Sequence, residues 1–130
     1  MIILRSIDIE EEIRRALTDY FTVYVRPLPE TYTTPSTLIE LMGGTTTDTI
    51  DTFLVRFSTR ATTDAEALDT LRTLLGVLKY QTGEQIGELR FSEEQNLISW
   101  GTDPIRPDLK LCTATVNVVA HKEQVEISES

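Results

Sequence analysis

The stretch IDTFLVRFSTRATTDAEALDTLRTLLGVLKY, Ile50–Tyr80, decides the fold. Its first part alternates: Phe53, Val55 and Phe57 point one way, and Thr52, Arg56 and Ser58 the other, which is the period of a β-strand. Thr63-Asp64-Ala65-Glu66 has the pattern of a capping box, in which the Thr63 hydroxyl takes a backbone N–H and Glu66 reaches back. Leu68, Leu71, Leu75 and Leu78 then recur at helical spacing, with Ala67 and Leu74 widening the stripe. A two-sided strand feeding an amphipathic helix is the nucleus of a helix-on-sheet domain.

Towards the N-terminus, Asp8 is placed to cap a helix from Ile9 to about Asp19, with Ile9, Ile13, Ala16, Leu17 and Tyr20 on one face. Glu10–Arg14 and Glu11–Arg15 are i,i+4 pairs on what reads as a solvated face. Phe21–Val25 is β-branched and aromatic, hence a strand, and Arg26-Pro27-Leu28-Pro29 ends it. Glu30–Ser36 reads as an exposed loop. Thr37–Met42 is a second strand, with Leu38, Glu40 and Met42 on one face and Ile39 and Leu41 on the other. Gly43-Gly44-Thr45-Thr46-Thr47-Asp48-Thr49 reads as a flexible hairpin tip. It precedes a strand and carries no Lys, so a phosphate cradle is disfavoured.

Towards the C-terminus, Gly76 inside the helix implies close approach of another backbone. Gly83 and Gly87 break the chain, and Glu88–Phe91 reads as either a short strand or an ordered loop. Asn96–Thr102, with Leu97, Ile98 and Trp100, reads as a strand, and the prolines of Asp103–Asp108 make a rigid connection. Leu109–Ala120 is the longest strand, with Cys112, Ala114, Val116 and Val118 on one face and Leu111, Thr113, Thr115, Asn117 and Val119 on the other. Glu123–Ser130 is an acidic tail expected to fray when the chain is alone. The whole reads as one domain, residues 1–130, of the α+β class. A mainly antiparallel or mixed sheet carries two helices on one face, in the order α-β-β-β-α-β-β.

The net charge of −9 disfavours general nucleic-acid binding, which relies on Lys and Arg. A hydrophobic fraction of 40% and a charged fraction of 25% are ordinary for a globular chain. The single cysteine, Cys112, excludes an internal disulfide and reads as a small buried side chain. Met1–Leu4 is too short for a signal-peptide core, and no run approaches the ~20 apolar residues of a membrane span. Synthesis in a cytoplasm with no membrane association is therefore expected. One His and one Cys do not make a transition-metal site, and His121 reads as a strand-end surface residue. Arg26, Arg56, Arg60, Arg72 and Arg106 look scattered, and mid-strand Arg56 reads as an ion-pair partner within or between subunits. No catalytic, cofactor-binding or metal-binding residue is assigned, and no cofactor is expected; the chain reads as a scaffold and not an enzyme.

In layout the sequence resembles the tail-terminator (tail-completion or minor capsid) proteins of long-tailed phages and prophages. The features that carry the resemblance are the opening helix leading into Val23-Tyr24-Val25-Arg26-Pro27 and the Gly43-Gly44 hairpin leading to Ile50-Asp51-Thr52-Phe53. The others are Ala61-Thr62-Thr63-Asp64-Ala65-Glu66-Ala67 and the Arg106-Pro107-Asp108-Leu109 turn into Thr113-Ala114-Thr115-Val116 and His121-Lys122. The resemblance implies a structural, non-enzymatic protein that forms a ring, typically a hexamer. Such a ring caps the tail tube at the head-proximal end of the virion, after assembly in the host cytoplasm. It implies tail-tube and head-completion or neck proteins as partners, with DNA passing through the lumen without specific binding. The candidate subunit interface is Thr52, Leu54, Arg56 and Ser58 on the strand, Thr45, Thr46 and Thr47 at the tip, and Tyr32 in the loop. Alternatives are a head-completion, neck or tail-tube-type virion protein or, from another class, a small acidic inhibitor of a host enzyme.

Overall fold

The structure, a computed structural model, describes residues 1–83, 89–94, 99–103 and 106–128. Its elements in chain order are β1 (Ile2–Arg5), α1 (Ile9–Leu17), β2 (Val23–Val25), β3 (Ser36–Thr46), β4 (Ile50–Ala61), α2 (Asp64–Gly83), β5 (Leu89–Glu94), β6 (Ser99–Thr102), β7 (Lys110–His121) and β8 (Glu123–Glu126). The main sheet runs β2-β3-β4-β7-β5, and β6 also pairs with β7. All these pairings are antiparallel except β2 with β3, which is parallel. The fold is α+β, with the expected order of helices and strands. β1 and β8 add a separate two-stranded antiparallel ribbon.

Alternation along β4 sends Phe53, Val55 and Phe57 into the core, where they meet Ile39 of β3 and Cys112, Ala114, Val116 and Val118 of β7. Ile9, Ile13 and Leu17 of α1 and Ala67, Leu71, Leu74, Leu75 and Leu78 of α2 close over the same face. Both helices therefore lie on one side of the sheet. The capping expectations hold: Glu11 N–H donates to Asp8 Oδ1 at 3.3 Å and Glu66 N–H to Thr63 Oγ1 at 3.2 Å.

Several expectations are corrected. α1 ends at Leu17, so Tyr20 lies beyond it and is exposed. Gly43 and Gly44 are not at the hairpin tip. They lie within β3 beside a register shift, both at positive φ, and the turn itself falls at Thr47–Thr49. A β-carbon on Gly44 would sit 2.0 Å from the Thr52 carbonyl oxygen, so this strand crossing requires glycine. Gly76 has no close backbone neighbour; a β-carbon there meets nothing within 4 Å. Glu123–Glu126, expected to fray, is β8, because the apolar Ile2–Leu4 segment supplies a partner strand. The expected break at Gly87, the first residues of the Asn96–Thr102 strand, the Pro104–Ile105 turn and the last two residues lie outside the described residues.

The two glycines give opposite expectations in chemical denaturation. Gly76→Ala raises stability by about 0.5–1 kcal/mol, because an exposed helical position gains propensity at no steric cost. Gly44→Ala lowers it by more than that gain, because the new methyl has nowhere to go.

Candidate functional site

The face of the sheet without helices is the surface on which the sequence placed its interface candidates. Across it, Arg56 of β4 stands between Glu40 of β3 and Thr115 of β7, and Leu54 between Gly43 and Asn117. Thr52 stands between Thr45 and Val119. Arg56 Nη2 donates to Glu40 Oε1 at 2.9 Å, a cross-strand ion pair within the chain. Thr52, Leu54 and Arg56 are half-buried, and Thr45, Thr46 and Thr47 are exposed. Ser58 is buried and lies 3.4 Å from the Thr113 hydroxyl.

The end of this face beyond Ser58 is closed by a polar cluster. The loop between β2 and β3, read from the sequence as exposed, buries Tyr32 there. The Tyr32 hydroxyl and Arg60 Nε both donate to Asp103 Oδ2, each at 2.6 Å. The Arg60 and Asp103 side chains are 11% and 1% exposed. The Arg60 and Arg106 guanidinium carbons lie 5.9 and 5.5 Å from the Tyr32 ring centroid, in cation–π range. Arg106 also donates its N–H to Asp103 Oδ1 at 3.3 Å. Burial first, then the hydrogen bond to Asp103 and that residue's charge, push the Tyr32 phenol above its ordinary value, against Arg60 and Arg106. Two arginines that look scattered in the sequence thus converge, and Tyr32 is an internal brace and not a free interface residue. The missed residue is Asp103. Its place before a proline suggested only a turn.

A second cluster closes the edge of β3 where the short β2 stops. Glu10, expected to pair with Arg14 on a solvated face, instead accepts from Arg26 Nη2 at 2.6 Å and from the Leu41 N–H at 3.0 Å. Arg26 also donates to the Leu41 carbonyl at 3.2 Å. The two side chains take the backbone donor and acceptor that a neighbouring strand would have taken. Burial opposes ionisation of Glu10, but the Arg26 and Leu41 hydrogen bonds outweigh it and hold the carboxyl below its ordinary value of 4.5. Arg14 pairs instead with Glu11.

A third cluster anchors the base of the ribbon. Asp51, buried at the start of β4, accepts from the Thr46 and Ser6 hydroxyls and lies 3.9 Å from Lys122 Nζ. Burial raises its carboxyl; those hydrogen bonds and the lysine charge lower it by more, for a net downward shift. The Lys122 N–H donates to the Thr49 carbonyl at 2.9 Å, tying the end of β7 to the β3–β4 turn.

Cys112 is buried and free, and burial raises its thiol; His121 is exposed. Among the described residues there is no group of three or more His, Cys, Asp or Glu side chains placed to hold a metal ion. No helix among them is long and apolar enough to cross a membrane. In comparisons with known proteins, no family model and no curated protein matches the chain.

Asp103→Ala leaves Arg60 buried without its counter-charge and is expected to lower stability by about 3–5 kcal/mol in urea denaturation. Tyr32→Phe, which deletes one hydrogen bond to a charged group, lowers it by about 1.5–3 kcal/mol. Glu10 sets a pH dependence. Its folded-state value is lowered, so its stabilisation is present above the unfolded carboxyl value and is lost as pH falls through the folded one. The stability gap between the wild type and Glu10→Gln is therefore open at neutral pH and closes below pH 4.5. A gap independent of pH would show that the charge of Glu10 contributes nothing.

Proposed function

We propose that this protein is a structural, non-enzymatic subunit that assembles into a ring, in the manner of the phage tail terminators whose layout it resembles. The observation that carries the reading is a sheet finished on one face only. The helices cover one side, while the other presents the half-buried Thr52, Leu54 and Arg56 beside the exposed threonines of the β3–β4 turn. A helix-free face of mixed apolar and hydrogen-bonding side chains suits contact with another protein. Glu40 and Arg56, the charged pair beside Leu54 on this face, are already joined within the chain, so covering them strands no ion.

A heterologous contact that closes into a ring has finite size, and a closed ring added to a tube ends its growth. The proposed ring is a hexamer at the head-proximal end of a virion tail, assembled in the host cytoplasm. It sits between tail-tube protein and head-completion or neck proteins. An acidic lumen lets DNA pass without gripping it, consistent with the charge of −9. A neck or tail-tube-type subunit would use the same surfaces. The acidic-inhibitor alternative needs carboxylates presented in a row. In α1 the candidates Glu10, Glu11 and Glu12 are each paired with an arginine of the same chain, which weighs against it.

Light scattering with negative-stain imaging tests the reading. A closed ring at micromolar concentration, alone or on addition of tail tubes, is the expected result. A chain that stays monomeric in both conditions overturns it.

A further inference from the structure

The β1–β8 ribbon stands apart from the main sheet. Five of the nine large hydrophobic residues exposed among the described residues lie on or beside it: Met1, Ile2, Ile3, Leu4 and Ile127. A two-stranded ribbon in which no side chain of either strand is fully buried is marginal in water, and a third strand is what such a pair lacks. The hydrogen bonds show where that strand can be added. Met1 and Ile127 exchange both of their backbone bonds, at 2.7 and 3.2 Å. With this register, Ile3–Val125 and Arg5–Glu123 are the next bonded pairs, and the N–H and C=O groups of Ile2 and Leu4 point outward. β1 therefore has an open edge of two outward-facing residues.

β3 has a matching one. β2 covers it only from Thr37 to Ile39, and Glu10 with Arg26 closes Leu41. Beyond the bulge, Thr47 N–H bonds the Ile50 carbonyl at 2.8 Å. Alternation then turns the backbone groups of Gly44 and Thr46 away from β4. Met42, exposed at the start of this stretch, offers an apolar contact.

Charge selects the occupant. Two copies of a chain carrying −9 repel, so a contact between them must avoid opposing acids. Met1–Ile7 contains Arg5 and no acidic residue, and Leu41–Thr47 contains no charged residue at all. The other edges are less suitable: β8 carries Glu123 and Glu126, β5 ends in Glu93-Glu94, and β2 runs into Pro27, Pro29 and Glu30. We propose that β1 of one copy adds as an edge strand to the Met42–Thr46 half of β3 in a second copy of this chain. The ribbon becomes three-stranded, and the open part of the β3 edge beyond Leu41 gains a partner. Because the two surfaces differ, the contact runs head to tail, as ring formation requires. The contact builds on the ring reading, which needs a joint between subunits.

Two experiments test it on the full-length chain. Leu4→Pro removes an outward N–H and leaves the in-chain bonds of Ile3 and Arg5 intact. The expected result is an unchanged circular-dichroism spectrum with a fall in mass to the monomer by light scattering. Independently, Ile3→Cys and Thr45→Cys chains are mixed and mildly oxidised, Cys112 being buried. Disulfide-linked dimers are expected in the mixture and in neither variant alone. Failure to cross-link in the mixture overturns the contact, as does linkage of Ile3→Cys chains to each other. Closed rings that survive Leu4→Pro and do not cross-link remove this contact and leave the ring standing. Cross-linked open chains without closure keep the contact and remove the ring.

Discussion

β4 is hydrogen-bonded along its whole length on both edges, to β3 on one side and β7 on the other. Among the described residues, no other strand of the sheet has two neighbours as long as the 11-residue β3 and the 12-residue β7. Its period-two alternation consequently sets the faces of all three strands. Phe53, Val55 and Phe57 place Ile39 and the Cys112–Val118 row on the helix side, and Arg56 and Leu54 place Glu40, Asn117 and Thr115 on the other. A one-residue slip of β4 would exchange core for surface across the whole domain. The buried apolar residues of α1 and α2 all pack on the Phe53–Phe57 side, which leaves the other face without a helix among the described residues.

Polar groups in this molecule close what the strands leave unfinished. Asp103 closes one end of the open face with Tyr32 and Arg60. Glu10 and Arg26 substitute for a strand at the edge of β3. Asp51 holds the foot of the ribbon to the sheet. Each is a carboxylate with at least one partner distant in the chain. The pairing offsets the cost of burying charge and fixes the geometry of a loop or edge that packing alone would leave free.

Much of the framework was legible in the sequence because it rests on periodicity and local capping. The β4 alternation, the α2 leucine stripe, the two N-caps and the two faces of β7 are all patterns within a single element. What escaped depends on partners far apart in the chain. Glu10 has the spacing of a helical ion pair with Arg14, and only the fold brings Arg26 and Leu41 closer. Asp103 reads as turn chemistry until Arg60 and Tyr32 are placed beside it. Ile2–Leu4 is too short to be recognised as a strand without Gln124–Glu126 opposite. The glycines of β3 signal a turn by composition, yet they lie beside the register shift after Leu41, before the turn at Thr47–Thr49. Of the interface candidates, Thr52, Leu54, Arg56 and the three threonines lie on accessible or half-buried positions, whereas Tyr32 and Ser58 are used inside the chain.

The in-chain use of arginine has a consequence for behaviour in solution. Arg5, Arg14, Arg15, Arg26, Arg56, Arg60 and Arg106 all pair with carboxylates of the same molecule. The excess acids are left to the solvent and its counterions. Any contact between two copies brings two such ion atmospheres together, and mobile salt screens the repulsion between them. A contact between two copies of such a chain would strengthen as ionic strength rises, the opposite of the dependence shown by a protein that grips phosphates.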